Sequence, residues 1–156
     1  MIRVLFSKQR GTMPLRNRRR FEKILRRAPA IVGLEGNGIL TVILTAPDTM
    51  AEINSRYVGH TGTTDVITFD LRADAIGIED DSLGEIYVCP DVALEYARQH
   101  GLDPSVELVL YAIHGMLHLH GEDDIKEDDR RQMRKAEARV MAALGQEFDL
   151  SDFIGE

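Results

Sequence analysis

Residues 105–121 read Ser105-Val106-Glu107-Leu108-Val109-Leu110-Tyr111-Ala112-Ile113-His114-Gly115-Met116-Leu117-His118-Leu119-His120-Gly121. Pro104 in front of this run is suited to the first turn of a helix. Val106, Leu108, Val109, Leu110, Ala112, Ile113, Met116, Leu117 and Leu119 leave almost no polar face. A helix that is apolar all round belongs in a core, so the rest of the chain must wrap it. His114 and His118 then need partners, because an unpaired buried polar group costs about 1–3 kcal/mol. Four residues apart, they lie one turn apart on one face. That is the geometry in which a helix offers two nitrogens to one metal ion.

The flanking residues extend the pattern. Gly115 stands where a helix interior would prefer alanine by about 1 kcal/mol, and its missing side chain permits close approach to the backbone. Gly121 suits a left-handed helix end. The returning chain carries Glu122, Asp123 and Asp124, so the motif reads H-x3-H-x2-G-x2-D over residues 114–124. Two imidazoles and one carboxylate leave a fourth position open, as in catalytic rather than structural zinc sites. Asp124 has a rival role: with Glu127 it resembles a capping box for a following helix. Asp123 and Glu122 are alternative ligands. His120, two residues past His118, points off the shared face. The plain alternative for the histidine pair is a hydrogen bond from each ring to a backbone carbonyl.

Outward from this helix, the pattern predicts an edge-like strand at Arg3–Ser7 and a basic helix over Leu15–Arg27, ended by Pro29. A turn follows at Gly33–Gly38, then a buried strand at Ile39–Thr45. A helix runs from about Asp48 to Tyr57, and His60–Thr64 is a loop. A strand is expected at Asp65–Phe69, an acidic loop at Asp70–Ser82 and a strand at Glu85–Cys89. Pro90 opens a helix to about His100, Pro104 the central one to about His120, and a last helix covers Ile125–Leu144. Four strands and about five helices, partly alternating, make an α/β or α+β domain. There is no internal repeat, linker or domain boundary, so residues 1–156 are expected to form one domain.

Composition bounds the function. The 156 residues are 44% hydrophobic and 29% charged, which excludes wholesale disorder. No apolar run approaches the roughly 20 residues of a membrane helix. The amino end lacks a signal-peptide pattern, and the single Cys89 excludes an internal disulfide; both suit a reducing cytoplasm. Net charge is −7, against a general nucleic-acid binder, yet residues 1–27 carry ten basic groups and one acid. That end is a candidate polyanion surface, or else the solvated face of an amphipathic helix. The peptidase helix H-E-x-x-H has its general base where this chain has Gly115. A metal beside a basic segment therefore suits phosphodiester hydrolysis better than peptide hydrolysis. A zinc peptidase or amidohydrolase would have to draw its base from Glu85 or Asp65. A non-enzymatic, ribosome-associated factor with a structural metal is the third possibility.

The run His114-Gly115-Met116-Leu117-His118-Leu119-His120-Gly121-Glu122-Asp123-Asp124 resembles the signature H-G-x-L-H-L-x-G-x-D-H of the YbeY family of zinc-dependent endoribonucleases. Ile53-Asn54-Ser55-Arg56-Tyr57 and Thr64-Asp65-Val66-Ile67-Thr68-Phe69 are similar to that family's asparagine–tyrosine segment and its T-D-V-[LI]-[ST]-F strand. Gly84-Glu85-Ile86-Tyr87-Val88 resembles its next strand. The blocks lie in family order across about residues 35–145. The resemblance implies a single α+β domain with a mixed sheet, 104–124 as its metal-site helix and turn, and one zinc ion per chain. It implies a cytoplasmic, single-strand-specific endoribonuclease acting in small-subunit rRNA 3′-end maturation and ribosome quality control. Its partners would be rRNA and the ribosome, possible ribosomal proteins included, and no membrane. His114 and His118 would be ligands by position, and Asp124 stands where the family usually has a third histidine. A carboxylate oxygen is a legitimate zinc ligand. Val58 stands where the family usually has arginine. Asn54, Thr64 and Asp65 are candidate substrate-binding residues; a helix-end hydrogen bond and a strand-start cap are their structural alternatives.

Overall fold

The computed structural model describes residues 1–58, 65–72 and 81–155. Its strands are β1 (Ile2–Lys8), β2 (Gly38–Leu44), β3 (Val66–Asp70) and β4 (Ser82–Val88). Its α-helices are α1 (Arg18–Val32), α2 (Pro47–Ile53), α3 (Pro90–His100), α4 (Pro104–His120) and α5 (Glu127–Glu147). The strands form one mixed sheet in the order β1-β2-β4-β3. β1 pairs β2 and β2 pairs β4 in parallel, while β3 pairs β4 antiparallel. The fold is therefore α+β with a four-stranded mixed sheet.

β2 runs between β1 and β4, and its Leu40, Val42 and Leu44 are buried under the helices. They join Phe21, Ile24 and Leu25 of α1, Ile86 and Val88 of β4, and Ile113, Met116 and Leu117 of α4 in the main core. A smaller cluster of Met50, Ile67 and Cys89 is flanked by Ile53, Phe69 and Tyr87. α4 lies over β3 and β4, and Gly115 makes this close approach possible. A Cβ there would lie 2.6 Å from Ile86 Cγ2 and 2.9 Å from Thr68 Oγ1. The close approach that this glycine permits is thus made by the sheet.

Several boundaries differ from the sequence reading. α1 does not stop before Pro29 but carries it inside and ends at Val32. A proline forfeits one backbone hydrogen bond in a helix; burial of Ala28, Pro29 and Val32 against the core offsets it. Gly33, at φ 97°, then ends the helix by donating to the Pro29 carbonyl at 3.0 Å. At the other end α1 starts at Arg18 rather than Leu15, because Asn17 is left-handed (φ 52°) and donates from its side chain to the Asp152 carbonyl. α2 gives way to a single π-helical turn at Asn54–Val58 instead of continuing. Asp70 and Ser82, expected in the acidic loop, are the last residue of β3 and the first of β4; residues 73–80 lie outside the described residues. α5 begins at Glu127 and runs to Glu147.

Part of the basic amino end is taken up inside the fold, which neither expected role included. Arg16 bonds Asp152, Arg27 bonds Glu147, and Arg20 donates to the Ser151 carbonyl, so these guanidinium groups hold the carboxyl-terminal segment. Arg19, Lys23 and Arg26 stay exposed along one side of α1. No helix among the described residues is long and apolar enough to cross a membrane.

Candidate metal centre

His114 and His118 leave α4 on the side facing α5, at the edge of the sheet formed by β3. Gly121 (φ 112°) ends α4 and donates to the His118 carbonyl at 3.1 Å. The chain turns there, which brings Asp124 back over the two rings. His118 Nε2 and His114 Nε2 are 3.0 Å apart. Asp124 Oδ2 lies 3.2 Å from His114 Nε2 and 3.5 Å from His118 Nε2. Asp124 does not cap α5: that helix starts after Lys126 with no side-chain cap. Its carboxylate is free for the rings.

The tautomers follow from the outer partners. His114 Nδ1 is 2.9 Å from Glu137 Oε2, and His118 Nδ1 is 3.1 Å from the Glu122 carbonyl oxygen. A carboxylate and a carbonyl only accept, so both Nδ1 atoms donate, and both Nε2 atoms turn lone pairs inward. With both rings neutral, two nitrogen lone pairs and a carboxylate oxygen thus converge. Such a trio repels itself unless a cation, or a shared proton, sits at its centre. The spacing fits a metal, because tetrahedral ligands at zinc bond lengths stand about 3.3 Å from one another. Among the described residues this is the one group of three such ligands that converges. The side chains are 21%, 29% and 39% exposed, so the site opens to solvent on the Asp124 side.

Glu137 of α5 has no counterpart in the sequence reading. It lies 23 residues from His114, and no local spacing marks it. Burial disfavours the charged form of His114, but the Glu137 hydrogen bond and charge, with the charges of Asp124 and Asp65, outweigh it and raise the pKa above the ordinary value. A carboxylate behind a ligating imidazole fixes its ring and increases its basicity, and loss of such a partner typically costs 10–100-fold in metal affinity. Glu137→Gln is expected to keep the fold and weaken zinc binding by about 10–100-fold, measured by competition with a chromogenic chelator. Unchanged affinity would mean that Glu137 does not position the ring.

Of the other expected site residues, Asp65 precedes β3 and borders a cavity that His114 also lines. One of its oxygens accepts from the Val66 N–H at 2.8 Å, the anticipated strand-start cap. Asn54 is 5% exposed at the start of the π turn. Thr64 lies outside the described residues. Arg56 pairs with Glu52 on the surface and His120 with Glu122, so neither joins the trio. Asp123 accepts from the Asp124 N–H, and Glu122 contributes its carbonyl rather than a ligating carboxylate.

A family model described as endoribonuclease YbeY matches residues 5–145. A protein of that name from Protochlamydia amoebophila is 43% identical over 96 residues, covering 62% of this chain and 63% of the relative's length. One from Staphylococcus saprophyticus is 37% identical over 128 residues, covering 80% of this chain and 84% of the relative. One from Salinispora tropica is 34% identical over 130 residues, covering 77% and 83%. The solution structure of TM1509 from Thermotoga maritima superposes with a TM-score of 0.59 at 30% identity, over 94% of this chain and 93% of that one. With its histidine helix seated on a matching fold and the family model spanning nearly its whole length, this chain belongs to the YbeY family.

Proposed function

We propose that this chain is a zinc-dependent endoribonuclease that cleaves single-stranded RNA, with one zinc ion per chain held by His114, His118 and Asp124. The observation that carries the reading is the convergence of two imidazole lone pairs and a carboxylate oxygen within 3.5 Å, open to solvent on one side. Zinc held there supplies Lewis acidity toward a phosphoryl oxygen. The chain's own residues do the positioning. Glu137 fixes the His114 ring, the Glu122 carbonyl fixes His118, and the turn at Gly121 sets Asp124 opposite both. Asp65, beside the site, is the best placed of the expected substrate-contacting residues. The exposed row Arg19, Lys23 and Arg26 on α1 offers phosphate contacts to an RNA chain. By family resemblance the substrate is the 3′ end of small-subunit rRNA, the setting is ribosome maturation and quality control in the cytoplasm, and the partners are the ribosome and its proteins.

The rival readings have less support. A peptidase base at position 115 has no room, because even a Cβ there meets Ile86 and Thr68. A metal that only staples the fold would sit in a closed, four-ligand site, whereas Asp124 is 39% exposed. Zinc-loaded protein should cut single-stranded RNA, spare a duplex of the same sequence, and stop when zinc is chelated. Peptide turnover without RNA cleavage, or ribosome binding without any turnover, would replace this reading.

A further inference from the structure

Next to the metal centre, between α3, α4 and the start of β3, lies a cavity of about 520 Å3 whose wall includes His114. That size suits a small ligand or one base of a larger one. Its lining is of two kinds. Tyr96, Tyr111 and Leu102 supply aromatic and apolar surface, and Asp65, Glu107 and Glu137 supply carboxylates. Tyr96 stands at the rim, 42% exposed and stacked on His100 at 4.1 Å. Deeper in, Glu107 is 8% and Tyr111 7% exposed. These two lie four residues apart on α4 and so share a face. Both residues are more than nine-tenths buried and line the cavity, so a ligand entering it would meet them.

The chemistry narrows what enters. Among the described residues, no three ligand atoms other than those of His114, His118 and Asp124 converge, so the cavity is not a second metal site. Three carboxylates on its wall repel a phosphate or any other anion. What fits is a flat, uncharged group with N–H donors on one edge and a π face. A carboxylate accepts two parallel N–H donors, and a tyrosine hydroxyl donates one hydrogen. Guanine presents this complement on its Watson–Crick edge: an oxygen acceptor, a ring N–H and an amino group. Uracil sets a second oxygen against the carboxylate. Adenine and cytosine turn an amino group where guanine has oxygen, and a lone pair where guanine has the ring N–H. Enzymes that hold a splayed base read it in this way, by edge hydrogen bonds and aromatic stacking.

We propose that this cavity is a base-recognition subsite for a guanine of the RNA strand, with Glu107 and Tyr111 reading its edge and Tyr96 packing on its ring. The inference rests on the endoribonuclease reading above, which places the adjoining phosphate at His114, His118 and Asp124. It makes cleavage selective for positions next to guanine.

The test is equilibrium binding of GMP, IMP, AMP, CMP and UMP to the zinc-loaded full chain, followed by NMR titration, alongside cleavage of single-stranded RNAs that differ at one base. GMP should bind in preference to AMP and CMP, and IMP, which lacks the amino group, should bind at least about tenfold more weakly. Glu107→Gln should abolish the preference for GMP over IMP, and Tyr111→Phe should weaken GMP. The glutamine variant should also be well folded. Burial pushes the Glu107 carboxyl up, the charges of Glu137 and Asp65 add to this, and His100 opposes it. A carboxyl raised on folding adds stability while protonated and loses it as pH rises from the unfolded value through the folded one. Glu107→Gln should therefore melt above the parent at neutral pH, with the gap closing in acid. Equal binding of all five nucleotides, no saturable binding into the millimolar range, or GMP affinity unchanged in Glu107→Gln would overturn the subsite. RNA cleavage without any guanine preference would do the same and leave the ribonuclease reading standing. Glu107-dependent GMP binding without RNA cleavage would support the subsite and overturn that reading.

Discussion

If the proposed zinc site is right, replacing His114 with alanine should abolish zinc binding and reduce RNA cleavage by more than about 100-fold, the upper end of what losing an outer partner alone costs. The substitution deletes the nitrogen that sits 3.0 Å from His118 Nε2 and 3.2 Å from Asp124 Oδ2. Two protein ligands remain, one fewer than the usual minimum at catalytic zinc. It also strands Glu137, whose carboxylate then faces a cavity instead of an N–H. The fold should survive, because the His114 side chain is 21% exposed and the core of α4 is made by its neighbours. Zinc content, melting temperature and cleavage measured on one preparation separate these effects. Loss of zinc and activity with a melting curve near that of the parent is the expected result. Cleavage undiminished in His114→Ala would assign the nuclease activity to another site or another protein.

The second large effect is expected at Gly115, and there it falls on the fold. Alanine is the better helix former by about 1 kcal/mol, so propensity alone predicts that Gly115→Ala stabilises. Packing opposes this. The new methyl group would stand 2.6 Å from Ile86 Cγ2 and 2.9 Å from Thr68 Oγ1, closer than real Cβ contacts come. Ile86 is fully buried in the main core, so it can yield only by displacing its neighbours. Overpacking a core typically costs about 1–3 kcal/mol and shifts backbone. The shift available is α4 moving off the sheet, and it would carry His114 and His118 with it. Gly115→Ala should melt about 2–8 °C below the parent and bind zinc more weakly. A variant that melts at or above the parent would mean that the sheet yields and propensity decides.

Much of the architecture was readable because its causes are local. Pro90 and Pro104 mark the first turns of α3 and α4, where a missing N–H does no harm. β-Branched runs gave β2 and β3, and the helical spacing of His114 and His118 with the Gly121 turn gave the trio. What could not be read depends on distant partners. Pro29 looks like a stop, but the core that covers Ala28 and Val32 carries α1 through it. The pairing of Asp124 with Glu127 looks like a capping box, but the rings of α4 place the carboxylate elsewhere. Glu137 became the partner of His114 only when α5 packed on α4. Glu107 carries no motif within the apolar run of α4. The cavity it lines is built by α3, α4 and α5 with Asp65, which no local pattern shows.

The most direct test of the central claim is a crystal of protein purified without chelator, with diffraction recorded on both sides of the zinc absorption edge. One anomalous peak per chain is expected, about 2.0–2.2 Å from His114 Nε2, His118 Nε2 and an Asp124 oxygen. A model with the two rings rotated apart, or with no peak between them in crystals whose preparation contains zinc, would contradict it.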